Sequence, residues 1–418
     1  MVFAKALAVV TACLSIVDAN PLKRQGLAFD FDGDKVRGVN LGGWFVLEPW
    51  ITPSLFEGGT AVDEYTFTQN LGKDAAQAAL KAHWGSWISE ADFTEMARFG
   101  LNHARIPIGY WALAPLLEDP YVQGQLEYLD AAIGWARTAG IKVMLDLHGA
   151  PLSQNGFDNS GNYGSIGWGQ GDSYWQTVNA IRILAERYAS QSDVVTSIEL
   201  LNEPANWGLD VGMIKQYVYD GWGTVRDSSG TTAVVMHDAF LGVPYWNGFA
   251  NSASGLNNII LDTHIYQVFS PGEVARTPCE HIKNACSNAV LLAGSDKWTI
   301  VGEWTGAQTD CAKWLNGFNK GARYDGTFPD SSYIGNCQNK YQGTVDGMLD
   351  VDKTNLEYFI EAQLDAYEAH SGWVFWAWKT ESAPEWHFQN LTRAGLIPQP
   401  LTSRKHPNQC STACHIPS

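Results

Sequence analysis

The chain has 418 residues, 45% of them hydrophobic and 17% charged. That composition excludes a disordered, collagenous or coiled-coil protein, and the length fits one large α/β domain or two or three small ones. Acidic residues number 44 against 27 basic ones, a net charge of −17, so the clustered cations that a nucleic-acid partner requires are missing. The aromatic content is high, with 18 Trp, 16 Tyr and 17 Phe. The surplus of Trp points to a surface that stacks on flat polar molecules such as sugar rings.

Residues 1–19, MVFAKALAVVTACLSIVDA, place one lysine before an apolar run that ends in small residues. This pattern predicts a secretory signal peptide whose apolar run is too short for a membrane span. A short propeptide, 20–24, follows and ends in the dibasic pair Lys23-Arg24. The mature chain then starts at Gln25, and a single domain is expected over 25–418. No other stretch is apolar enough to cross a bilayer, so a secreted protein with no membrane partner is expected. Cys13 leaves with the signal. Cys279, Cys286, Cys311, Cys337, Cys410 and Cys414 remain, an even set in the last third of the chain. In a secreted protein this suggests up to three disulfides, with 15 possible pairings. A zinc site is the alternative, but the spacings match no usual zinc pattern. Asn390-Leu391-Thr392 is an N-glycosylation sequon.

Apolar runs of strand length recur at 36–43, 101–109, 142–149, 197–204, 232–240, 258–266, 298–304 and 372–379. Near-continuous runs rich in Val, Ile and Leu predict strands buried on both faces, hence a parallel sheet. Helical patterns fall between them. Ser89 to Asp92 reads as a capping box followed by Phe93, Met96 and Ala97 at helical spacing. Segments 128–138, 173–189 and 356–370 repeat the theme. In the second of these, Trp175, Val178, Ile181, Ala185 and Tyr188 form one stripe. Eight strands alternating with helices predict an α/β protein of the (β/α)8 TIM-barrel class. The rival, a doubly wound open sheet, requires a glycine-rich phosphate loop after the first strand. Leu41-Gly42-Gly43-Trp44 is not that loop. Segments 149–172 and 266–297 read as long loops at the catalytic face of such a barrel.

Polar groups gather at the strand ends: Arg105, His148, Asn202 with Glu203, His237 with Asp238, His264 with Tyr266, Glu303, and Trp376 with Trp378. In a barrel these converge on one pocket. Glu203 and Glu303 each follow an apolar run directly. A lone buried carboxylate costs several kcal/mol unless paired or neutralised. Two such strands therefore suggest two carboxylates facing one another, the arrangement that glycoside hydrolysis needs. Structural ion pairs with Arg105 are one competing reading. Zinc held by His148, His237 and His264 is another, and no local H-E-x-x-H spacing supports it.

Arg37-Gly38-Val39-Asn40-Leu41-Gly42-Gly43-Trp44, with Leu47-Glu48-Pro49-Trp50, resembles the opening signature of the fungal exo-β-1,3-glucanases of glycoside hydrolase family 5. Further matches are Leu147 to Pro151, Ser153 to Gly161, Leu201-Asn202-Glu203-Pro204, Asp262 to Tyr266, Gly302-Glu303-Trp304 and Val374 to Lys379. The resemblance runs from about residue 35 to the C-terminus. Leu152 departs from it, standing where the family usually has Gly, so the pocket rim is where substrate fit is expected to differ.

The resemblance implies a retaining hydrolase that releases glucose from the non-reducing ends of β-1,3-glucan, with Glu203 as acid/base and Glu303 as nucleophile. Burial and the second carboxylate are expected to keep Glu203 partly protonated, and Arg105 and Tyr266 to hold Glu303 ionised. Asn202 is expected on the sugar 2-hydroxyl, His148 and His264 on hydroxyls and the acid/base, and Trp376 under the innermost ring. Glu48 and Asp158 are expected to contact hydroxyls, and Phe157 and Phe269 to clamp the polymer at the mouth. No metal or cofactor is implied, because two carboxyls and water suffice. A monomer at the cell wall or outside the cell is expected. Endo-β-1,4-glucanase, β-1,6-glucanase and transglycosylase activities are alternatives within the class. A catalytically dead glucan-binding wall protein is the alternative outside it, and it predicts loss of a carboxylate that is present here.

Overall fold

Eight parallel strands close on themselves in the computed structural model, which describes residues 27–411 together with 414 and 416. They are β1 (Val36–Asn40), β2 (His103–Gly109), β3 (Lys142–Gly149), β4 (Val195–Glu199), β5 (Ala233–His237), β6 (Ile259–His264), β7 (Trp298–Glu303) and β8 (Gly372–Phe375). Each pairs with its neighbour in sequence, and β8 returns to β1 through Val36–Gly372 and Val39–Phe375. The closed barrel excludes the doubly wound sheet. The signal segment 1–19 and the propeptide 20–24 lie outside the described residues.

The barrel interior is packed rather than open. Phe31, Val36, Met144, Val235, Ile260, Ile300 and Val374 form one buried cluster, which Leu27 and Phe29 approach from the N-terminal segment. Phe31 stands before β1 and most of the others lie in the first half of their strands, so the apolar plug fills the N-terminal end. Polar side chains are left for the C-terminal end, where barrel sites lie.

The helices are α1 (Glu64–Leu71), α2 (Lys73–Trp87), α3 (Glu90–Arg98), α4 (Gln125–Ala139), α5 (Ser173–Tyr188), α6 (Val211–Ser228), α7 (Pro271–Val274), α8 (Pro278–Ala293), α9 (Asp350–Tyr367) and α10 (Phe388–Arg393). The capping box at Ser89 and Asp92 forms as expected and starts α3. Gly140 ends α4 at φ 74°, a left-handed cap that suits glycine. Between β5 and β6 the described residues contain only two short 3-10 turns, Val243–Trp246 and Ser252–Ser254.

Two expectations need correction. The segment 266–297 is not a loop but carries α8, opened by Thr277 and Glu280 as a capping box with Pro278 at its first turn. The longest irregular connection is instead residues 304–349, between β7 and α9. In α5, Trp175 is 61% exposed; the buried stripe runs through Thr177, Ile181, Leu184, Ala185 and Tyr188.

The cysteines pair as Cys279–Cys414, Cys286–Cys410 and Cys311–Cys337. The first two fasten the C-terminal tail to α8, and the third closes the 304–349 connection on itself. Asn390 is half-buried on α10, and Thr392 is buried with its hydroxyl donated to the Phe388 carbonyl at 2.9 Å. The sequon therefore lies on a packed helix rather than in the exposed loop that such an acceptor suggests.

Gly302 shows how tightly the strands are matched. Its N–H donates to Asp262 Oδ1 at 2.7 Å, and a Cβ placed on it would meet Asp262 Oδ2 at 1.9 Å. Gly302→Ala is expected to lower the free energy of unfolding by about 2–3 kcal/mol, as overpacking a rigid interior does. Urea denaturation checks this, and an unchanged midpoint would contradict the packing described.

Candidate active site

Arg105 projects from β2 into the barrel and is completely buried. Its Nε donates to Glu199 at 2.7 Å, one terminal nitrogen to Asn40 at 2.9 Å and Glu303 at 3.1 Å, and the other to Asn202 at 2.8 Å. That last nitrogen also lies 3.2 Å from Asp146. Asn40 in turn donates to the Gly302 carbonyl at 2.8 Å. Strands β1, β2, β3, β4 and β7 are thus tied together around one guanidinium.

Glu303 ends β7. It receives Tyr266 Oη at 2.8 Å as well as Arg105. Glu203 stands on the connection after β4, four residues past the strand end, at φ 48°. This left-handed conformation is costly for a non-glycine residue and is the kind of strain that sites hold in place. Asn159 Nδ2 donates to Glu203 Oε2 at 3.0 Å. His264 Nδ1 lies 2.8 Å from Glu203 Oε1 and 3.3 Å from Glu303 Oε2. These two distances laid end to end limit the separation of those oxygens to about 6 Å. That is shorter than the roughly 6.5–9.5 Å of an inverting pair and compatible with the roughly 5–5.5 Å of a retaining one.

Proton affinities follow from the surroundings. Burial works against charge on His264, but Glu303, Asp262 and Glu203 outweigh it and hold the imidazole well above its ordinary range. Burial also opposes ionisation of Glu203, yet the hydrogen bond and charge of His264, with Asn159, bring it below the usual carboxylate range. Glu303 is raised by burial and by Glu203, against His264 and Arg105. The expectation that burial and the second carboxylate keep Glu203 partly protonated is corrected accordingly. The proton rests on His264, one hydrogen bond from Glu203, and both carboxylates are held by a cation. Glu48 is raised well above its ordinary value by burial and by Asp158, against the bond it accepts from Trp50 Nε1 at 2.8 Å.

The carboxylates open into a cavity of about 400 Å³. Of the expected residues, Glu48, Phe157, Asp158, Glu203, Tyr266, Phe269, Glu303 and Trp376 line it. Arg105, His148, Asn202 and His264 are not on its wall; His148 is stacked on Trp376 at 5.5 Å and bonded through Nδ1 to Asp146 at 2.6 Å. His148 Nε2 and Asn202 Nδ2 are buried and find no partner among the described residues. His237 lies behind His264, ring to ring at 4.4 Å.

Sequence reasoning missed Asn159, Tyr163, Phe240, Arg323 and Trp386, which also line the cavity. It missed Asp146 and Glu199 as well, although a charged residue inside each apolar run was the available signal. Leu152 does not line the cavity. It takes φ 65°, with its side chain half exposed, so the backbone keeps a glycine-like turn at a cost of about 1–2 kcal/mol. Glu199, Asp262 and His264 offer atoms within 4.8 Å of one another, as do Glu203, His237 and His264. Arg105 is already bonded to Glu199, and His264 Nδ1 is already committed to the carboxylates.

The model of the cellulase family, glycosyl hydrolase family 5, matches residues 68–323. A glucan 1,3-beta-glucosidase of Blumeria graminis is 67% identical over 97% of each chain. A probable glucan 1,3-beta-glucosidase A of Aspergillus niger is 51% identical over 97% of this chain and 98% of its own. Among solved structures, a rutinosidase from Aspergillus niger superposes with TM-score 0.69 at 19% identity, over 88% of this chain and 99% of that one. At that identity it shows the fold alone.

Buried groups give the protein a pH profile of stability. Burial raises Glu64 to about 8, Asp158 to about 7 and Glu385 to about 7. Asp158 is partly exposed as a residue, but its Oδ2 is buried without a protein partner. The native state holds protons on these groups that the unfolded chain has lost above about pH 4, so stability falls as pH rises toward 8. Burial lowers His83, His281 and His387 to about 4. Their contribution is complete above about pH 6.5 and is lost as pH falls through their folded values. Urea midpoints are therefore expected to decline from pH 6.5 to pH 8.5, where these carboxyls lose their protons in the folded state. A midpoint that rises over that interval contradicts the assignment.

Proposed function

The chain belongs to glycosyl hydrolase family 5, and from that premise we propose that it is a secreted retaining exo-acting glucan 1,3-β-glucosidase. The observation that carries this reading is the pair Glu203 and Glu303, bridged by one imidazole within hydrogen-bond reach of Glu203 and 3.3 Å from Glu303. The names of the two similar fungal proteins supply the substrate class. The leader pattern at 1–19 and three disulfides support secretion. Among the described residues no helix is long and apolar enough to cross a membrane.

The terminal glucosyl unit enters the cavity with its ring over Trp376. Glu48 and Asp158 meet its hydroxyls. Asn202 Nδ2 and His148 Nε2, without protein partners, are satisfied by the sugar or by bridging water. Glu303 Oε attacks the anomeric carbon as the glycosidic C–O bond breaks. The proton passes from His264 Nδ1 to Glu203 and on to the leaving oxygen, so the glucan departs as an alcohol. In the second step Glu203 takes a proton from water. The hydroxide attacks the glycosyl carbon, the ester to Glu303 breaks, and glucose leaves with its configuration retained. Arg105 and Tyr266 keep Glu303 aimed and stabilise its charge. Phe157 and Phe269, 39% and 42% exposed at the mouth, offer stacking faces to the next sugar. Activity requires the shared proton and an ionised Glu303, so it is expected to fall at acid pH as Glu303 takes up a proton and at alkaline pH as the shared proton is lost.

Laminarin digestion tests this reading. Glucose as the sole early product is expected. A ladder of oligosaccharides overturns exo action, and no digestion of laminarin overturns the substrate. Glu203→Gln is expected to lose about 10²–10⁴-fold on laminarin. It should lose far less on an aryl glucoside whose leaving group needs no proton. Glu303→Gln should be inactive on both, and equal activity of either variant and wild type on laminarin would overturn the roles.

A further inference from the structure

Glu64, the first residue of α1, carries a carboxyl group with no exposed surface. Its Oε2 accepts the Leu47 N–H and its Oε1 the Trp111 indole N–H, both at 2.9 Å. Burial raises it to about 8, and none of the groups that act on it, Leu47, Trp111 and Asp63, is a cation. An acid buried without a counter-charge is destabilising, so its presence calls for a use. Glu64 does not line the carboxylate cavity. Its use therefore lies in what its two donors hold.

Those donors belong to two different walls of the cavity. Leu47 precedes Glu48, which lines the cavity from the connection after β1. Trp111 follows β2 and stacks on Tyr121 at 4.0 Å. Its ring presses on the segment 153–163, where a Cβ placed on Gly161 would meet it at 2.3 Å. Tyr121 Oη and the Tyr65 N–H both donate to the Gly161 carbonyl, at 2.8 and 2.9 Å. Asp63 Oδ2 accepts the Tyr163 N–H at 2.6 Å. Three consecutive residues, 63–65, thus clasp the segment that carries Asp158 and Asn159, and the middle one also grips the backbone beside Glu48. Asp158 stands close enough to Glu48 to raise it, and Asn159 reaches Glu203 at 3.0 Å.

We propose that Glu64 is a positioning residue that fixes Glu48 relative to Asp158, so that the two carboxyl groups meet the hydroxyls of the terminal glucosyl unit together. The inference rests on the glucanase reading above and deepens it, from which groups touch the sugar to what sets their spacing. Two acceptor oxygens are needed to serve both donors. A glutamine in that place turns an amide N–H toward one of them and frees one wall from the other.

Kinetics of the full-length secreted protein on 4-nitrophenyl β-glucoside, which offers the terminal unit alone, test it. Glu64→Gln is expected to lower kcat/KM about tenfold, as one lost and one opposed hydrogen bond do. In a Glu48→Ala background the same substitution is expected to cost less than about twofold, because no carboxyl group is left there to place. A residue that served stability alone would cost the same factor in both backgrounds. That result overturns the proposal, and so does an unchanged kcat/KM in Glu64→Gln. Where Glu64→Gln fails to fold, Trp111→Phe removes one of the same hydrogen bonds from the donor side, and the same comparison is read with it. No turnover of the glucoside or of laminarin by wild type would instead overturn the glucanase reading.

Discussion

The Arg105 guanidinium has no exposed surface, and each of its donors meets an oxygen of another strand or strand end. A buried cation of this kind is tolerated only when its charge and its hydrogen bonds are matched, and removing one partner from such a set costs about 3–5 kcal/mol. The balance runs in both directions. Asp146, Glu199 and Glu303 are carboxyl groups in the same dry interior, and Arg105 is the cation they share. Asn40 and Asn202 fill the remaining positions and bring in β1 and the connection after β4. Closure of the barrel and placement of the site's carboxyl groups are therefore one requirement, met by one side chain.

His264 supplies the second cation. Placed between Glu203 and Glu303, it relieves their repulsion while keeping a proton at 2.8 Å from the first of them. The number of protons in the triad is the same whether His264 or Glu203 carries the mobile one, so the acid form needs only a shift along an existing hydrogen bond. Glu203 itself sits in a left-handed turn, and Leu152, Ala239 and Phe240 share that conformation in the neighbouring connections. The strain gathers at the C-terminal end of the barrel, while the apolar cluster at the other end is built from ordinary strand residues. Stability and function are segregated along the barrel axis.

The eight strands were legible because parallel strands buried on both faces leave unbroken apolar runs, and all eight runs overlap the observed strands. The two carboxylates were legible because each follows such a run. Other parts were hidden for identifiable reasons. The helix α8 begins with Thr277-Pro278-Cys279-Glu280, a start signal masked by the reading of its cysteines and polar residues as loop. Trp175 fits a helical stripe by spacing yet faces solvent, because spacing fixes a face and not what covers it. The partners of Arg105 on β3 and β4 lie inside apolar runs, where a single Asp146 or Glu199 interrupts the pattern without revealing its mate. The state of Glu203 was misjudged because burial and the second carboxylate were weighed without a histidine 61 positions away in sequence, whose hydrogen bond and charge outweigh them. The 304–349 connection, which brings Arg323 to the cavity, carries no periodicity at all.

The central claim is that Glu203 and Glu303 stand close enough for direct attack by one of them, with no water between the nucleophile and the sugar. Proton NMR of the first glucose released from laminarin, read before mutarotation, tests it most directly. The account predicts β-glucose as the initial product, which equilibrates to the α form only later. Initial α-glucose would show inversion, and with it a water-mediated single displacement that the bridged carboxylates do not accommodate.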